Sequence, residues 1–185
     1  LLALAGYEEL PEAARILERA CESIAPFVAQ IRASHGAWPE GIGYWNYGMR
    51  YLYMFILSLE RATGRRSPWL EGRAVREALT FPMRMTPYVG CPCSFGDVNA
   101  WSPLPFHLAA ARRLRQPAAL AELMPYWRPA APDASLGWPN AAELLCQYEN
   151  VSGARPRRIQ PFVHQYPGMD WVVLADRMPA PRLYA

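Results

Sequence analysis

The stretch Tyr44-WNYGMRYLYMFILSLERAT-Gly64 decides the fold prediction for this chain. Apolar residues occupy nearly every side of a helix over 44–63, which is typical of an inner helix that other helices surround. Gly64 supplies a natural C-terminal cap. We therefore expect this helix to be the most buried element. Its first turns combine aromatic and polar side chains, so we expect that end to open onto solvent.

Other helices flank this segment. An amphipathic helix is predicted over 8–33, because its apolar residues recur at three- and four-residue intervals. Pro26 predicts a kink or an early end there, since proline lacks an amide donor and clashes with the preceding turn. Across a loop at 34–43, the helix is expected to run antiparallel to the helix over 44–63. Shorter helices are predicted over 70–80, 103–115, 117–127 and 139–149. Successive helix pairs favour a mainly α fold, part of an (α/α) toroid of helical hairpins.

The composition changes after about residue 150. Residues 151–161 are rich in Gly, Pro and Arg and resemble a linker, and the β-branched run at 171–175 predicts a strand. We therefore divide the chain into a partial toroid domain at 1–150 and a linker with the first strand or strands of a β-domain at 151–185. The predicted helices make only part of a closed double ring of helices, so we interpret the sequence as an incomplete chain.

Composition excludes several classes of function. The 185 residues are 52% hydrophobic and 19% charged, which suits one ordinary domain with a packed core. All 19 basic residues are Arg, the net charge is only +3, and no dense basic cluster occurs, so nucleic acid is not an expected partner. The uncharged run at 51–59 is too short to span a bilayer. Residues 1–6 lack the basic start of a signal peptide.

The cysteines and histidines predict neither a disulfide nor a metal site. Cys91 and Cys93 are separated by a single proline, and that spacing suits neither an intramolecular bridge nor a zinc ribbon. Cys21 and Cys146 lie in apolar helical patterns, which are typical of buried free thiols. The three histidines are scattered. We therefore predict no metal and no cofactor.

The run from His35 to Gly48 is the richest in candidate binding groups. Two Trp, two Tyr, a Glu and an Asn alternate there with glycines. Aromatic rings interleaved with hydrogen-bonding groups suit a sugar-binding cleft, because rings stack on apolar sugar faces and polar groups bind hydroxyls. The alternative is a packed corner in which Trp38 and Trp45 belong to the core. Asp97 can orient a group in the site or cap a turn. Arg50 can bind a carboxylate or lie on the solvated surface.

The run Trp38-PEGIGYWNY-Gly48 resembles the heparinase II/III-like family of polysaccharide lyases. The segments Ala14–Ala20 and Ser94–Asp97, and the turn at Tyr166 leading into 171–174 and Arg177, are also similar to that family. The resemblance implies an (α/α) toroid joined to an antiparallel β-sandwich. It implies a secreted or periplasmic lyase that cleaves uronate-containing glycans, such as glycosaminoglycans or alginate, by β-elimination without a cofactor.

The resemblance also implies which residues form the site. Tyr44 matches the family's catalytic tyrosine best, and Tyr47 is the second choice. A phenol needs no help to act as an acid, but acting as a base near neutral pH requires neighbouring positive charge. The family's Asn/His motif and its later histidine have no match here, so we expect the chain to be inactive alone. The implied substrate-binding residues are Trp38, Glu40, Trp45, Asn46, Tyr47, Arg50 and Asp97.

Two other functions remain open from the sequence. An (α/α)-barrel glycoside hydrolase needs two carboxylates flanking the scissile bond, and Glu40 with Asp97 are the loop acids in suitable surroundings. A helical module that binds an acidic polysaccharide or oligosaccharide without cleaving it needs only the aromatic and polar surface. Formation of an unsaturated uronate that absorbs ultraviolet light distinguishes elimination from hydrolysis. The sequence predicts no oligomeric state.

Overall fold

A computed structural model describes residues 1–96, 98, 100–127 and 155–185. Within these residues, seven helices precede a hairpin of two strands, so the predicted mainly α fold with a short β segment near the C-terminus is confirmed. The predicted helix at 139–149 lies outside the described residues, as do Asp97 and Cys146. The elements are α1 (Leu2–Ala5), α2 (Ala13–Ala33), α3 (Ile42–Thr63), α4 (Arg73–Ala78), α5 (Phe81–Arg84), α6 (Pro105–Arg113), α7 (Pro117–Leu123), β1 (Phe162–Tyr166) and β2 (Trp171–Ala175).

Helix α3 follows the predicted span closely. It ends before Gly64, whose φ of 66° is the left-handed conformation that glycine adopts without strain, so the predicted cap is confirmed. The helix begins at Ile42, two residues earlier than predicted. Gly41 precedes it with a φ of 103°, and this conformation sets the direction in which the chain enters the helix.

The burial of α3 differs from the prediction. Phe55 and Ile56 lie in the core and Leu59 packs against it, as expected. However, seven of the 22 residues of α3 are buried, against seven of the nine residues of α6. The prediction that α3 is the most buried element is therefore wrong. One side of α3 stays exposed and carries the residues Tyr44, Tyr47 and Tyr51.

Helix α2 runs through Pro26 to Ala33, so the prediction of an early end is wrong. Pro26 is exposed, and on the solvent side of a helix, water can satisfy the carbonyl that proline leaves unpaired. Phe27 packs against α3, since a Cβ built on Gly48 would lie 2.8 Å from its ring. Phe27 lies six residues before the end of α2, and Gly48 lies six residues after the start of α3. This pairing is the one expected of a helical hairpin.

The shorter predicted helices are present with tighter bounds. The segment predicted as one helix over 70–80 forms a 3₁₀ turn at Pro68–Leu70 and then α4, with α5 following at once. Helices α6 and α7 lie within the predicted spans 103–115 and 117–127. Each of α5, α6 and α7 has a proline at its first or second position, where the missing amide donor costs no hydrogen bond.

The two strands form an antiparallel hairpin. Strand β2 has the predicted bounds, and β1 is an element that sequence patterns did not predict. Phe162 pairs with Ala175 and Tyr166 with Trp171, across a short 3₁₀ turn at Pro167–Met169. The last residue also pairs with β2, because the backbone N–H groups of Leu174 and Ala185 each donate to the other's carbonyl.

The hairpin and the helices share one hydrophobic core. A chain of ring contacts links them, with centroid distances of 5.8 Å from His107 to Trp45, 6.0 Å from Trp45 to Phe81 and 5.3 Å from Phe81 to Tyr166. Such ring pairs add to the free energy gained by burial. The hairpin is therefore packed on the helical body and does not merely follow it in sequence.

Two kinds of feature, a membrane-spanning helix and a cluster of metal ligands, are absent from the described residues. None of their helices is both long enough and apolar enough to cross a bilayer. Within the same part of the chain, no three residues among His, Cys, Asp and Glu come together as metal ligands. Cys21, Cys91 and Cys93 are free thiols.

Candidate functional site

The loop at 34–41 is held rigidly between α2 and α3. Ser34 donates its hydroxyl to the carbonyl of Ala37 at 2.6 Å, and the indole N–H of Trp45 donates to the carbonyl of Gly36 at 2.8 Å. Gly36 has a φ of 93°, and a Cβ there would lie 2.6 Å from the backbone nitrogen of Ala78. Glycine is therefore required at this position, both by its conformation and by the closeness of α4.

The two tryptophans of the loop region have different surroundings. Trp45 is fully buried and packs against rings of α5 and α6, so its side chain supports the loop and offers no surface to a ligand. For Trp45, the structure therefore agrees with the alternative in which this residue belongs to the core of a packed corner. Trp38 is half-buried, lies 5.0 Å from the Phe27 ring, and donates its indole N–H to a carboxylate oxygen of Glu40 at 2.8 Å. Glu40 itself is exposed at the edge of the loop.

Three tyrosines form an exposed row on α3, which we call the tyrosine face. Tyr44, Tyr47 and Tyr51 have exposed fractions of 48%, 62% and 48%. Intervals of three and four residues place them on one side of the helix. The Tyr47 and Tyr51 rings meet edge to face at 4.8 Å, and the guanidinium carbon of Arg50 lies 5.9 Å from the centre of the Tyr51 ring. Phenols, ring faces and a cation are therefore presented together to solvent.

Asn46 lies between these tyrosines in sequence and is partly buried. Its side-chain oxygen is inaccessible to solvent and has no hydrogen-bond partner in the described part of the chain. An unpaired buried acceptor is unusual in proteins. The acceptor lies close to the start of α3 but is closed to solvent, so it is not presented to a ligand on the surface.

The segment Ser94–Gly96 packs against the loop, although about 55 residues separate them in sequence. Gly96 has a φ of 59°, and a Cβ there would lie 2.6 Å from the carbonyl carbon of Glu40. Two of the segments quoted for the lyase resemblance therefore meet in space. The predicted role of Asp97 falls on a residue outside the described part.

A groove between α1, α2 and α3 borders the tyrosine face. It has a volume of about 840 Å³, and Tyr51 belongs to both features. Its walls are almost entirely apolar and include Phe27, Leu52 and Phe55. Sugar hydroxyls need polar partners, so the groove itself does not suit a carbohydrate.

Sequence reasoning missed a second group of polar side chains, which we call the Arg84 cluster: Arg84, His164 and Tyr166. Burial, aided by the charge of Arg84, lowers the pKa of His164 to about 4. Burial raises the pKa of Tyr166 to about 12, and nearby Arg84 opposes that increase. The alternation of β1 was the only sequence signal that placed His164 and Tyr166 on one side. The approach of Arg84 to them depends on the tertiary fold.

His107 is a further buried titratable group. Its Nδ1 accepts a hydrogen bond from the Leu104 N–H at 2.9 Å, so the proton of the neutral ring lies on Nε2. Burial lowers its pKa to about 3, and this effect outweighs the opposing influence of the Leu104 carbonyl, 3.2 Å from Nδ1. His107 is therefore a neutral core residue.

Comparison with known proteins adds no assignment, since no protein-family model, curated protein or solved structure matches the chain. The resemblance to heparinase II/III-like lyases therefore depends on the residues quoted for it. The site residues stay predictions, and the geometry above is the basis for the proposals that follow.

Proposed function

We propose that this chain is the toroid portion of a secreted or periplasmic lyase that cleaves uronate-containing polysaccharides by β-elimination. The observation that carries the proposal is the tyrosine face, with Arg50 beside it and the Trp38–Glu40 loop at the start of the same helix. The likeness of Trp38–Gly48 to the heparinase II/III-like motif gives this face its chemical interpretation. Closure of the helical hairpins into a toroid, and a β-sandwich beyond the hairpin, belong to the same proposal.

The chemistry of elimination assigns roles to two residues. A base removes the proton from C5 of the uronate, a double bond forms between C4 and C5, and the glycosidic C4–O bond breaks. The leaving oxygen must then be protonated. We assign that role to Tyr44, and its exposed side chain at the start of α3 supports the assignment. The guanidinium of Arg50 matches the planar geometry of a uronate carboxylate.

A second function, binding without cleavage, is favoured by the arrangement of the rings. Tyr47 is the most exposed of the three tyrosines, and its ring contacts that of Tyr51. Exposed rings of this kind are suited to stacking on sugars. The hydrolase alternative has less support. The carboxylate of Glu40 accepts a hydrogen bond from Trp38, and Asp97, the second acid that hydrolysis would need, lies outside the described residues.

Turnover tests the lyase directly. The protein, produced from its complete gene, is incubated with alginate or heparan sulfate while ultraviolet absorbance records the unsaturated product. The Tyr44→Phe variant keeps the ring and deletes the hydroxyl, so we expect the rate to fall by a factor on the order of 10². Tyr51→Phe is the matched control on the same helix face and should keep most of the rate. Unchanged turnover in the Tyr44→Phe variant would refute the assignment of Tyr44 and move it to Tyr47.

Binding is measured separately, by electrophoresis of the 185-residue chain through gels containing alginate or a neutral glucan. Retardation by alginate that weakens in the Tyr47→Ala variant supports the tyrosine face as the binding surface. Binding without an ultraviolet-absorbing product from the complete protein would favour the non-catalytic module. Equal migration in both gels would contradict both functions.

A further inference from the structure

The inner side of β1 carries three side chains that face α5. The strand alternates, so Phe162, His164 and Tyr166 point inward, while Val163 and Gln165 are exposed. Arg84, the last residue of α5, has its guanidinium carbon 5.5 Å from the centre of the Phe162 ring. The His164 and Tyr166 rings lie 4.5 Å apart. Two elements that are distant in sequence therefore bring a guanidinium, an imidazole and a phenol together.

Four polar atoms of the Arg84 cluster are buried and lack a well-aligned hydrogen bond. Nε and Nη1 of Arg84, Nε2 of His164 and the hydroxyl oxygen of Tyr166 are all inaccessible and form no such bond in the part of the chain that the structure describes. Arg84 does lie close enough to the Tyr166 hydroxyl to oppose the increase in its pKa. Tyr166 as a whole is fully buried. A buried polar group without a partner destabilises the folded state, and a charged one does so more strongly. Four such atoms in one place indicate that the cluster is built for a further partner, which the described residues do not supply.

Within the described residues, no carboxylate is paired with the guanidinium of Arg84. Glu77 and Glu122 are the acidic groups among those residues that act on the cluster electrostatically. Glu77 is paired with Arg73 at 2.7 Å, and Glu122 lies 3.9 Å from Arg157. The remaining neighbours, Arg73 and His35, contribute positive charge or none. The uncompensated charge of the cluster is therefore positive.

We propose that the Arg84 cluster binds a small oxyanion of the kind represented by carboxylate, phosphate and sulfate. Nε and Nη1 of Arg84 each carry an N–H that can donate to an oxygen of such an anion, and hydrogen bonds between charged groups are strong. The hydroxyl of Tyr166 donates to it as well, and Nε2 of His164 donates when it carries a proton. Half-buried His164 marks the side from which the anion enters. The site is separate from the tyrosine face and does not depend on the function proposed above.

Thermal unfolding tests the proposal. The Tm of the purified 185-residue chain is followed against increasing sodium phosphate, sulfate or acetate, with chloride making up the same ionic strength. A ligand that binds only the folded state raises the Tm in a saturable way. We expect such an increase for at least one of the three anions, and the strongest response identifies the type of oxyanion. No saturable response to any of them would overturn the proposal.

Variants assign the response to the cluster. Arg84→Met should abolish it, and Tyr166→Phe, which keeps the ring against Phe81, should weaken apparent binding by about tenfold. Arg19→Met removes an exposed arginine on α2 and should leave the response unchanged. If Arg84→Met does not fold, Tyr166→Phe alone decides the outcome. An undiminished response in the Tyr166→Phe variant would contradict the site.

Discussion

The ion pair between Glu60 and Arg113 should be a main determinant of stability, because it joins α3 to α6. The guanidinium donates from Nε and Nη2 to both carboxylate oxygens at 2.6 and 2.5 Å, and Glu60 also accepts the Ser67 N–H at 2.7 Å. The two side chains have exposed fractions of only 12% and 16%. Replacing Arg113 with Met would leave the Glu60 carboxylate with one donor in a site that is mostly closed to water.

The magnitude follows from that degree of burial. Breaking a fully buried pair by removing one partner costs about 3–5 kcal/mol, whereas exposed pairs contribute about 0–1 kcal/mol. The Glu60–Arg113 pair is bidentate but retains some contact with water. We therefore expect Arg113→Met to lower the free energy of unfolding by about 2–3 kcal/mol. The control is Glu22→Gln, which removes the exposed Arg19–Glu22 pair on α2 and should change that free energy by less than about 0.5 kcal/mol.

Urea denaturation at several pH values provides the assay. Burial alone would raise the pKa of Glu60, but the hydrogen bonds from Arg113 and Ser67 outweigh it and lower the pKa below 4.5. The pair therefore stabilises the fold above pH 4.5, and this contribution is lost as the pH falls through the folded-state pKa. Glu60→Gln should consequently flatten the acid side of the stability curve. A loss below 0.5 kcal/mol in Arg113→Met, or an unchanged acid limb in Glu60→Gln, would refute this reasoning.

Two further predictions concern the core and the loop. Burial lowers the pKa of His107 to about 3, so stability should fall as the pH drops from 6.5 towards 3. His107→Asn keeps an acceptor for the Leu104 N–H and should make the slope of stability against pH shallower. His164 should account for the part of the slope that remains. Gly36→Ala should lower the free energy of unfolding by at least about 2 kcal/mol. Gly72→Ala is its control, since φ is 102° there but no atom lies within 4 Å, and an equal loss in both variants would show that contact with α4 contributes nothing.

Sequence patterns predicted the elements whose determinants are local. Helix α3 was predicted from its apolar pattern and the glycine that ends it, and strand β2 from its run of β-branched residues. Each of these signals acts within one segment. The prediction that α2 ends early at Pro26 was wrong because the effect of this proline is not determined locally. The cost of a proline in a helix depends on which side of the helix carries it, and that side is set by the neighbours of α2 in the fold.

The candidate site was predictable in composition but not in orientation. Trp45 and Tyr44 are adjacent aromatics in one motif, yet one is in the core and the other is exposed. The helical intervals separate the buried stripe of α3 from the tyrosine face, but they do not say which stripe points inward. The Arg84 cluster was beyond sequence reasoning, because about 80 residues separate Arg84 from His164.

The chain of ring contacts between the helical body and the hairpin has a consequence for NMR spectroscopy. Tyr166 meets Phe81 edge-on at an interplanar angle of 89°, and Phe81 in turn contacts Trp45. Protons held over the face of an aromatic ring experience its ring current, so resonances at these junctions should be displaced from their usual positions. Because the hairpin contributes Tyr166 to the first of these pairs, displaced resonances at the Tyr166–Phe81 contact report directly whether the hairpin is docked on the helices in solution.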